Sequence, residues 1–357
     1  MGAGQVRTVL GDVDPKDLGR TMMHEHLLIG FGRWRREATG THSSERMPQE
    51  HSDRRSNEPI SLESRHWVAY YGRHPAEYRL DDEANAITEA QRFADAGGGT
   101  IVDVTNPDLT RQPQALARIS RATGLHVVMG CGRYVGSNHP LDMDERNVDD
   151  LAREMIKDVT EGSDGTDIRS GIIGEIGTEY PVTENEARSL EAAALAQRET
   201  GAAVSIHPGR ETRAPLAVME ILDRAGGDAN RTIMGHVDRT LFATKDFLAL
   251  AETGCYLEFD LFGQESSYYA HAPIDMPNDA RRIDHIKELI AAGYGNRIVV
   301  SQDICQKTNL TKYGGHGYAH ILENVVPMML RKAMSETDIE NVLVHNPARI
   351  LTLAEKS

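Results

Sequence analysis

The chain has 357 residues, 39 % of them hydrophobic and 26 % charged, with a formal net charge of −15. That composition supplies a core and argues against disorder, and the acidic balance argues against nucleic acid or anionic lipid as partners, since both are held by basic patches. A small anionic substrate stays open, because one local arginine overrides the field of the whole surface. Cys131, Cys255 and Cys305 are too few and too scattered for a disulfide framework and read as buried reduced thiols. No apolar run approaches the ~20 residues of a membrane helix. The segment MGAGQVRTVLGDVD has no apolar leader run, and Val6 stands where a myristoylation signal wants Ser or Thr, so the expected location is the cytoplasm.

The predicted elements alternate along the chain. TMMHEHLL (21–28) reads as a buried strand, followed at 31–81 by a polar insertion in which Trp67, Tyr70 and Tyr71 cluster late. A helix over 82–97 leads to the strand TIVDVT (100–105), and a helix over 114–124 to HVVMGCG (126–132) and GIIGEIG (171–177). The next helix, 184–201, opens on a capping box of Thr183 and Glu186. AVSIHPG (203–209), helix 214–226, TIMGHVD (232–238), helix 244–254 and CYLEFDLF (255–262) follow. A second polar stretch, 263–280, precedes helix 281–293, the strand IVVSQDI (298–304) and the closing segments ENVVPMMLRKAM and NPARILTLA. The strands are Val- and Ile-rich without strict alternation, as in parallel sheets buried on both faces. Eight of them alternating with about eight helices predict a (β/α)8 TIM barrel, one domain over 1–357 with a long insertion after strand 1. An open doubly wound sheet is the alternative, weakened because no Gly-x-Gly-x-x-Gly follows the first strand.

Six polar side chains stand at the ends of these apolar runs: His24, His26, Glu175, His207, His236 and Asp303. Residues i and i+2 of a strand point the same way, so His24 and His26 project together. A His-x-His pair alone is weak evidence. Its weight comes from four other strand ends that carry His, Glu, His and Asp, all at the face where such barrels keep their active sites. Four imidazoles and two carboxylates suit a pair of divalent metal ions: Zn²⁺ first, with Mn²⁺, Co²⁺ or Fe²⁺ also accommodated. A carboxylate bridges two such ions ~3.5–4 Å apart, and a water bridging them becomes hydroxide near neutral pH. Asp303 is placed to accept the proton and pass it to a leaving group. The expected activity is therefore metal-dependent hydrolysis of a small molecule.

The segments MMHEHL, TIVDVT, GIIGEIG, SIHPG, GHVDRT and VVSQDI resemble those of the phosphotriesterase family of the amidohydrolase superfamily. The likeness is strongest to its phosphotriesterase-related branch, where it extends through EGSDGT, CYLEFDLFG, IDMPND, KYGGHGYAHIL and NPARILTL. The resemblance implies a binuclear site: His24, His26 and Asp303 on a buried metal, His207 and His236 on an exposed one, and a carboxylate from the fourth strand between them. Many members bridge with a carboxylated lysine. This chain has no lysine in GIIGEIG, and Glu175 is the matching residue, so the site assembles without bicarbonate. The branch is linked to amide hydrolysis of small N-acyl compounds, including N-acetyltaurine, whereas sister branches hydrolyse lactones and phosphotriesters. The six ligands alone do not choose among these reactions.

Candidate substrate contacts are Arg210, Tyr134, Asn106, Glu258 and His316. Arg210 would hold an anionic tail or pair with a loop carboxylate; Tyr134 would bind substrate or pack. Glu258 also reads as an internal barrel carboxylate supporting a ligand. His316 would orient Asp303, shuttle its proton, or serve the loop. Asp238 and Arg239 are expected to form a loop ion pair, and His42, His51, His66 and His74 to be surface histidines. A non-catalytic metal-containing binding protein is the rival from another class, disfavoured because no ligand is missing. Related barrels are often dimeric, so a homodimer is compatible with the sequence.

Overall fold

The computed structural model describes residues 2–31, 58–71, 74–266, 269 and 272–355. Among them, eight parallel strands form a ring: β1 (Arg20–Glu25), β2 (Gly98–Asp103), β3 (His126–Met129), β4 (Ile173–Gly177), β5 (Val204–His207), β6 (Thr232–Met234), β7 (Tyr256–Phe259) and β8 (Ile298–Val300). Helices follow the strands in turn: α1 (Glu83–Asp95), α2 (Pro113–Thr123), α3 (Val148–Thr160), α4 (Glu184–Thr200), α5 (Ala214–Arg224), α6 (Thr244–Ala251), α7 (Asp279–Ala291) and α8 (Val326–Arg331). The architecture is the expected TIM barrel, and the doubly wound alternative falls.

The continuous apolar runs are explained by two separate cores. Met22, Ile101, Val127, Val204 and Leu257 pack outward with the helices, while their neighbours Met23, Val102, Val128, Ala203 and Tyr256 fill the barrel interior. Each strand residue is thus buried on one face or the other, at roughly 1.5–3 kcal/mol per large aliphatic side chain.

Regular pairing runs in two arcs, β1-β2-β3 and β4-β5-β6-β7-β8. At one seam, Gly174 N donates to Cys131 O (2.6 Å) and Glu175 N to Val104 O (3.1 Å); at the other, Asp303 N donates to His24 O (3.1 Å). Between Met22 and Glu25 the register of β1 on β2 shifts. There the pleat breaks, so Met23 and His24, though adjacent, both face the interior.

Two features escape the sequence reading. A hairpin of Val6–Thr8 with Gly11–Val13 closes the barrel floor: Val6 lies in the inner core with Ile350 and Leu351, and Val9 N donates to Val127 O (2.9 Å). Helix α3 carries its own capping box, Asn147 with Asp150, and buries Leu151, Ala152, Met155 and Val159.

The predicted insertion is bracketed by a short antiparallel pairing, Ile29 with Leu80 and Gly30 with Arg79. Within it Arg65–Tyr71 is helical, with Trp67 and Val68 buried. His42 and His51 lie outside the described residues. His66 is exposed as expected, but His74 is not a surface histidine. It is buried, its Nε2 bonded to Glu58 O (2.7 Å) while its Nδ1 accepts from Ala76 N. Loop backbone groups need partners wherever they leave water, and this imidazole supplies two contacts.

Candidate metal centre

The six residues singled out in the sequence meet at the C-terminal mouth of the barrel. β1 delivers His24 and, one residue past its end, His26; β4 carries Glu175 and β5 ends on His207. His236 and Asp303 lie two and three residues beyond β6 and β8, both with left-handed backbone (φ 52° and 46°). Non-glycine residues there cost about 1–3 kcal/mol each and persist where the surroundings over-determine them. Gly174 turns the chain into Glu175 with φ 139°, and a Cβ there would meet Ser205 O at 2.4 Å, so only glycine fits.

Glu175 sits between the imidazoles. Its Oε1 is 3.4 Å from His26 Nε2; its Oε2 is 2.9 Å from His207 Nδ1, 3.4 Å from His24 Nε2 and 3.6 Å from His236 Nε2. Asp303 Oδ1 lies 3.3 Å from His26 Nε2 and 4.0 Å from His24 Nε2. Ligand-capable atoms of His24, His26 and Asp303, and of His24, Glu175 and His236, fall within 4.8 Å of one another in each set. These groups could hold metal.

The far side of each ring is fixed. His24 Nδ1 faces Glu258 Oε2 (3.2 Å) and Asp260 Oδ2 (3.4 Å), and His26 Nδ1 faces Thr105 Oγ1 (2.8 Å). His236 Nδ1 faces Asp260 Oδ1 (2.9 Å), and its backbone N–H donates to Asp260 Oδ2 (2.8 Å). Asp260 escaped the sequence reading, although CYLEFDLF places it two residues after Glu258, on the same strand face. Such outer carboxylates set which ring nitrogen points inward.

Burial alone would push the His24 imidazole down, but Glu175, Glu258 and Asp260 outweigh it and hold the ring well above its ordinary range. Burial likewise opposes ionisation of Glu175, and His24, His207 and His236 overcome it, keeping the carboxyl well below its usual range. Burial and then His236 drive His207 well below the ordinary imidazole value. A cluster that packs four imidazoles around one ionised carboxylate suits cations better than shared protons. The direct test of fit is His24 Nε2, buried and without a hydrogen-bond partner at the centre of the group.

The remaining candidates separate by position. Tyr134 Oη is 3.3 Å from His207 Nδ1, at the mouth. Arg210 is partly buried on the same side, its Nε donating to Tyr269 Oη (3.3 Å). Asn106 and Glu258 are fully buried. Asn106 Nδ2 donates to Glu175 O (2.8 Å) and its Oδ1 accepts from Asp108 N (3.0 Å), so its amide is used in holding β4 and a turn. Glu258 lies behind His24. His316 Nδ1 meets Gly317 O (3.2 Å) and its ring meets His320, with no hydrogen bond to Asp303. The expected Asp238–Arg239 ion pair does not form. Asp238 pairs with Arg282 (2.6 Å), while Arg239 turns to the site and reaches His207 Nε2 (3.1 Å) and Pro208 O (3.1 Å). Arg282 comes from α7, a partner that local sequence does not reveal.

Imidazoles and carboxylates converging on the mouth of a (β/α)8 barrel define a hydrolase of the amidohydrolase superfamily. The chain belongs to the phosphotriesterase family, whose model matches residues 4–351. It is 42 % identical to the N-acetyltaurine hydrolase of Danio rerio and 41 % to that of Homo sapiens, in each case over 98 % of both chains. Among solved structures it resembles a resiniferatoxin-binding protein from Rhodobacter sphaeroides (34 % identity, 98 % of this chain and 95 % of that one, TM-score 0.91). It also resembles a lactonase from Listeria monocytogenes (26 % identity, 98 % of this chain and 100 % of that one, TM-score 0.79).

Proposed function

We propose that this chain hydrolyses the amide bond of a small N-acyl compound with an acidic tail, at a centre of two divalent cations. The observation that carries the reading is the approach of His24, His26, His207 and His236 to Glu175, and of Asp303 to His26, in a chain so alike, end to end, to N-acetyltaurine hydrolases. His24, His26 and Asp303 would hold one cation, His207 and His236 the other, and Glu175 both. Zinc is the ion this donor set suits first, with manganese, cobalt and iron as alternatives. When bound, the cations supply Lewis acidity, which activates a water near neutral pH and polarises the acyl oxygen.

The protein's own contribution is placement and proton handling. Glu258 and Asp260 present His24 Nε2 and His236 Nε2 to the centre. The Asp303 carboxylate takes the proton released by the attacking water and returns it to the amide nitrogen as the C–N bond breaks. An amide needs this return, because an amide anion is too poor a leaving group. Tyr134, whose hydroxyl lies beside His207, would flank the substrate, and Arg210 would face its tail.

Lactone or phosphotriester hydrolysis at the same centre is the second reading, supported by the likeness to the Listeria lactonase. Turnover by metal-analysed protein on N-acyl amides, lactones and an aryl phosphotriester separates the two, with H207A as control. Amide turnover lost in H207A together with part of the metal is the expected result. Activity confined to lactone or phosphotriester would overturn the substrate class.

A further inference from the structure

Two arginines flank the site in equivalent places. Arg210 follows His207 by three residues at the end of β5, and Arg239 follows His236 by three residues beyond β6. β5 and β6 are neighbours in the sheet, so both side chains enter the same sector of the mouth. Arg239 is buried, with 2 % of its surface exposed, and Arg210 is partly buried.

Neither has a carboxylate within ion-pair distance among the described residues. Arg210 meets the hydroxyl of Tyr269 and, at 5.8 Å, its ring. Arg239 meets Thr240 Oγ1 (3.4 Å), Pro208 O and His207 Nε2. Of the acidic groups nearby, Asp238 is taken by Arg282 and Asp260 by His236, while Glu179 is exposed and acts on Arg210 only from beyond ion-pair distance. Buried guanidinium groups are ordinarily paired, and two like charges side by side call for an anion. The His207 contact is also conditional. It needs the lone pair on Nε2, which exists only while the ring proton is on Nδ1. When His207 offers Nδ1 to a cation the proton sits on Nε2, and the Arg239 N–H group needs another acceptor.

We propose that Arg210 and Arg239 form a two-guanidinium subsite for the anionic tail, sulfonate or carboxylate, of the substrate's amine half. It lies beside His207, with Tyr134 and Tyr269 as its walls. The forked donors of two arginines match the oxygens of a sulfonate or carboxylate. The subsite makes the enzyme choose by the charge of the leaving amine rather than by the acyl group. The proposal rests on the amide-hydrolase reading for the reaction, but anion capture itself is separable from turnover.

The test compares metal-loaded wild type with R210Q, R239Q and R239K. One arm measures kcat/KM on N-acetyltaurine, on N-acetyl-β-alanine and on the neutral methylsulfone analogue of the first. The other titrates taurine and β-alanine calorimetrically, with metal content assayed in every sample. The ratio of anionic to neutral kcat/KM should fall about 10–100-fold in R210Q and R239Q, mainly through KM, with partial recovery in R239K. Amine-product binding should weaken in parallel. The two anionic series decide between sulfonate and carboxylate. Equal losses on charged and neutral substrates, or unchanged product binding at full metal content, would overturn the subsite. No wild-type turnover on any amide, with product binding still lost in the variants, would overturn the reaction class and leave the subsite standing.

Discussion

Asp303 holds a backbone conformation that asparagine also tolerates, so D303N removes a charge and a proton acceptor without demanding a new turn. On an N-acyl amide, kcat should fall about 10²–10⁴-fold, the range of a lost acid–base group, and much less on an activated ester. An equal fall on both would make Asp303 a ligand only. Gly174 has no such substitute. G174A should lower bound metal and activity together, because the Ser205 carbonyl would push Glu175 off its position; atomic absorption reads the first directly. His316 offers a pH signature. Burial pushes its imidazole down to about 4, so between pH 6.5 and 4 the unfolded chain binds a proton that the folded one does not. Stability should therefore drop as pH falls through that window, by up to about 3 kcal/mol, and the stability of H316Q, read from denaturant titrations at several pH values, should fall less steeply with pH. The convergence of the six residues of the candidate centre was legible because each ends an apolar run. Asp260 could have been found from its i+2 spacing to Glu258, whereas Arg239 could not, since its partner His207 comes from another strand.

The strands could be read as continuous Val- and Ile-rich runs and most helices from periodicity and their stop signals, and the Thr183–Glu186 capping box forms as expected. Helix α3 went unread although its start has the same chemistry, with Asn147 and Asp150 in place of Thr and Glu. Substituting Asn147 by Ala should cost about 1 kcal/mol, visible as a lower denaturant midpoint with unchanged activity on saturating metal. The C-terminal segments hold a second surprise. Ile321–Val325 and Asn341–His345 are wide, π-type turns, each running into a helix whose second residue is proline, Pro327 and Pro347. Proline has no N–H group to return to the carbonyl four residues back, and the wider turn lets that carbonyl find other company. The floor hairpin was missed because three-residue strands carry too little pattern to stand out.

Across the whole molecule, imidazoles and carboxylates gathered at one point are an asset only to a folded, metal-loaded state. Stripping metal with a chelator should lower the melting temperature, and zinc should restore it; a ligand at a thousandfold excess over its Kd contributes about 4 kcal/mol to the state that binds it. An unchanged melting temperature in verified metal-free protein would count against the centre. At the opposite end, Arg7 is fully buried, pairs with both oxygens of Asp12 and donates to Val159 O. R7A should destabilise by about 3 kcal/mol, because it empties a buried guanidinium site, leaves the Val159 carbonyl without its donor and leaves Asp12 with Arg169 alone.

The two seams of the ring give the fold a further property. His24 and Asp303 face each other across one, and Glu175 begins the far side of the other. The cation that Glu175, His207 and His236 would hold draws its donors from the β4–β8 arc alone, but the one that His24, His26 and Asp303 would hold needs both arcs. A half-barrel, whether met during folding or cut out as a fragment, would therefore lack the latter site, and affinity there would switch on only at ring closure. Capture of that cation would then serve as a proofreader of the finished fold, and mixing two separately made halves in the presence of zinc would show whether the ion drives their union.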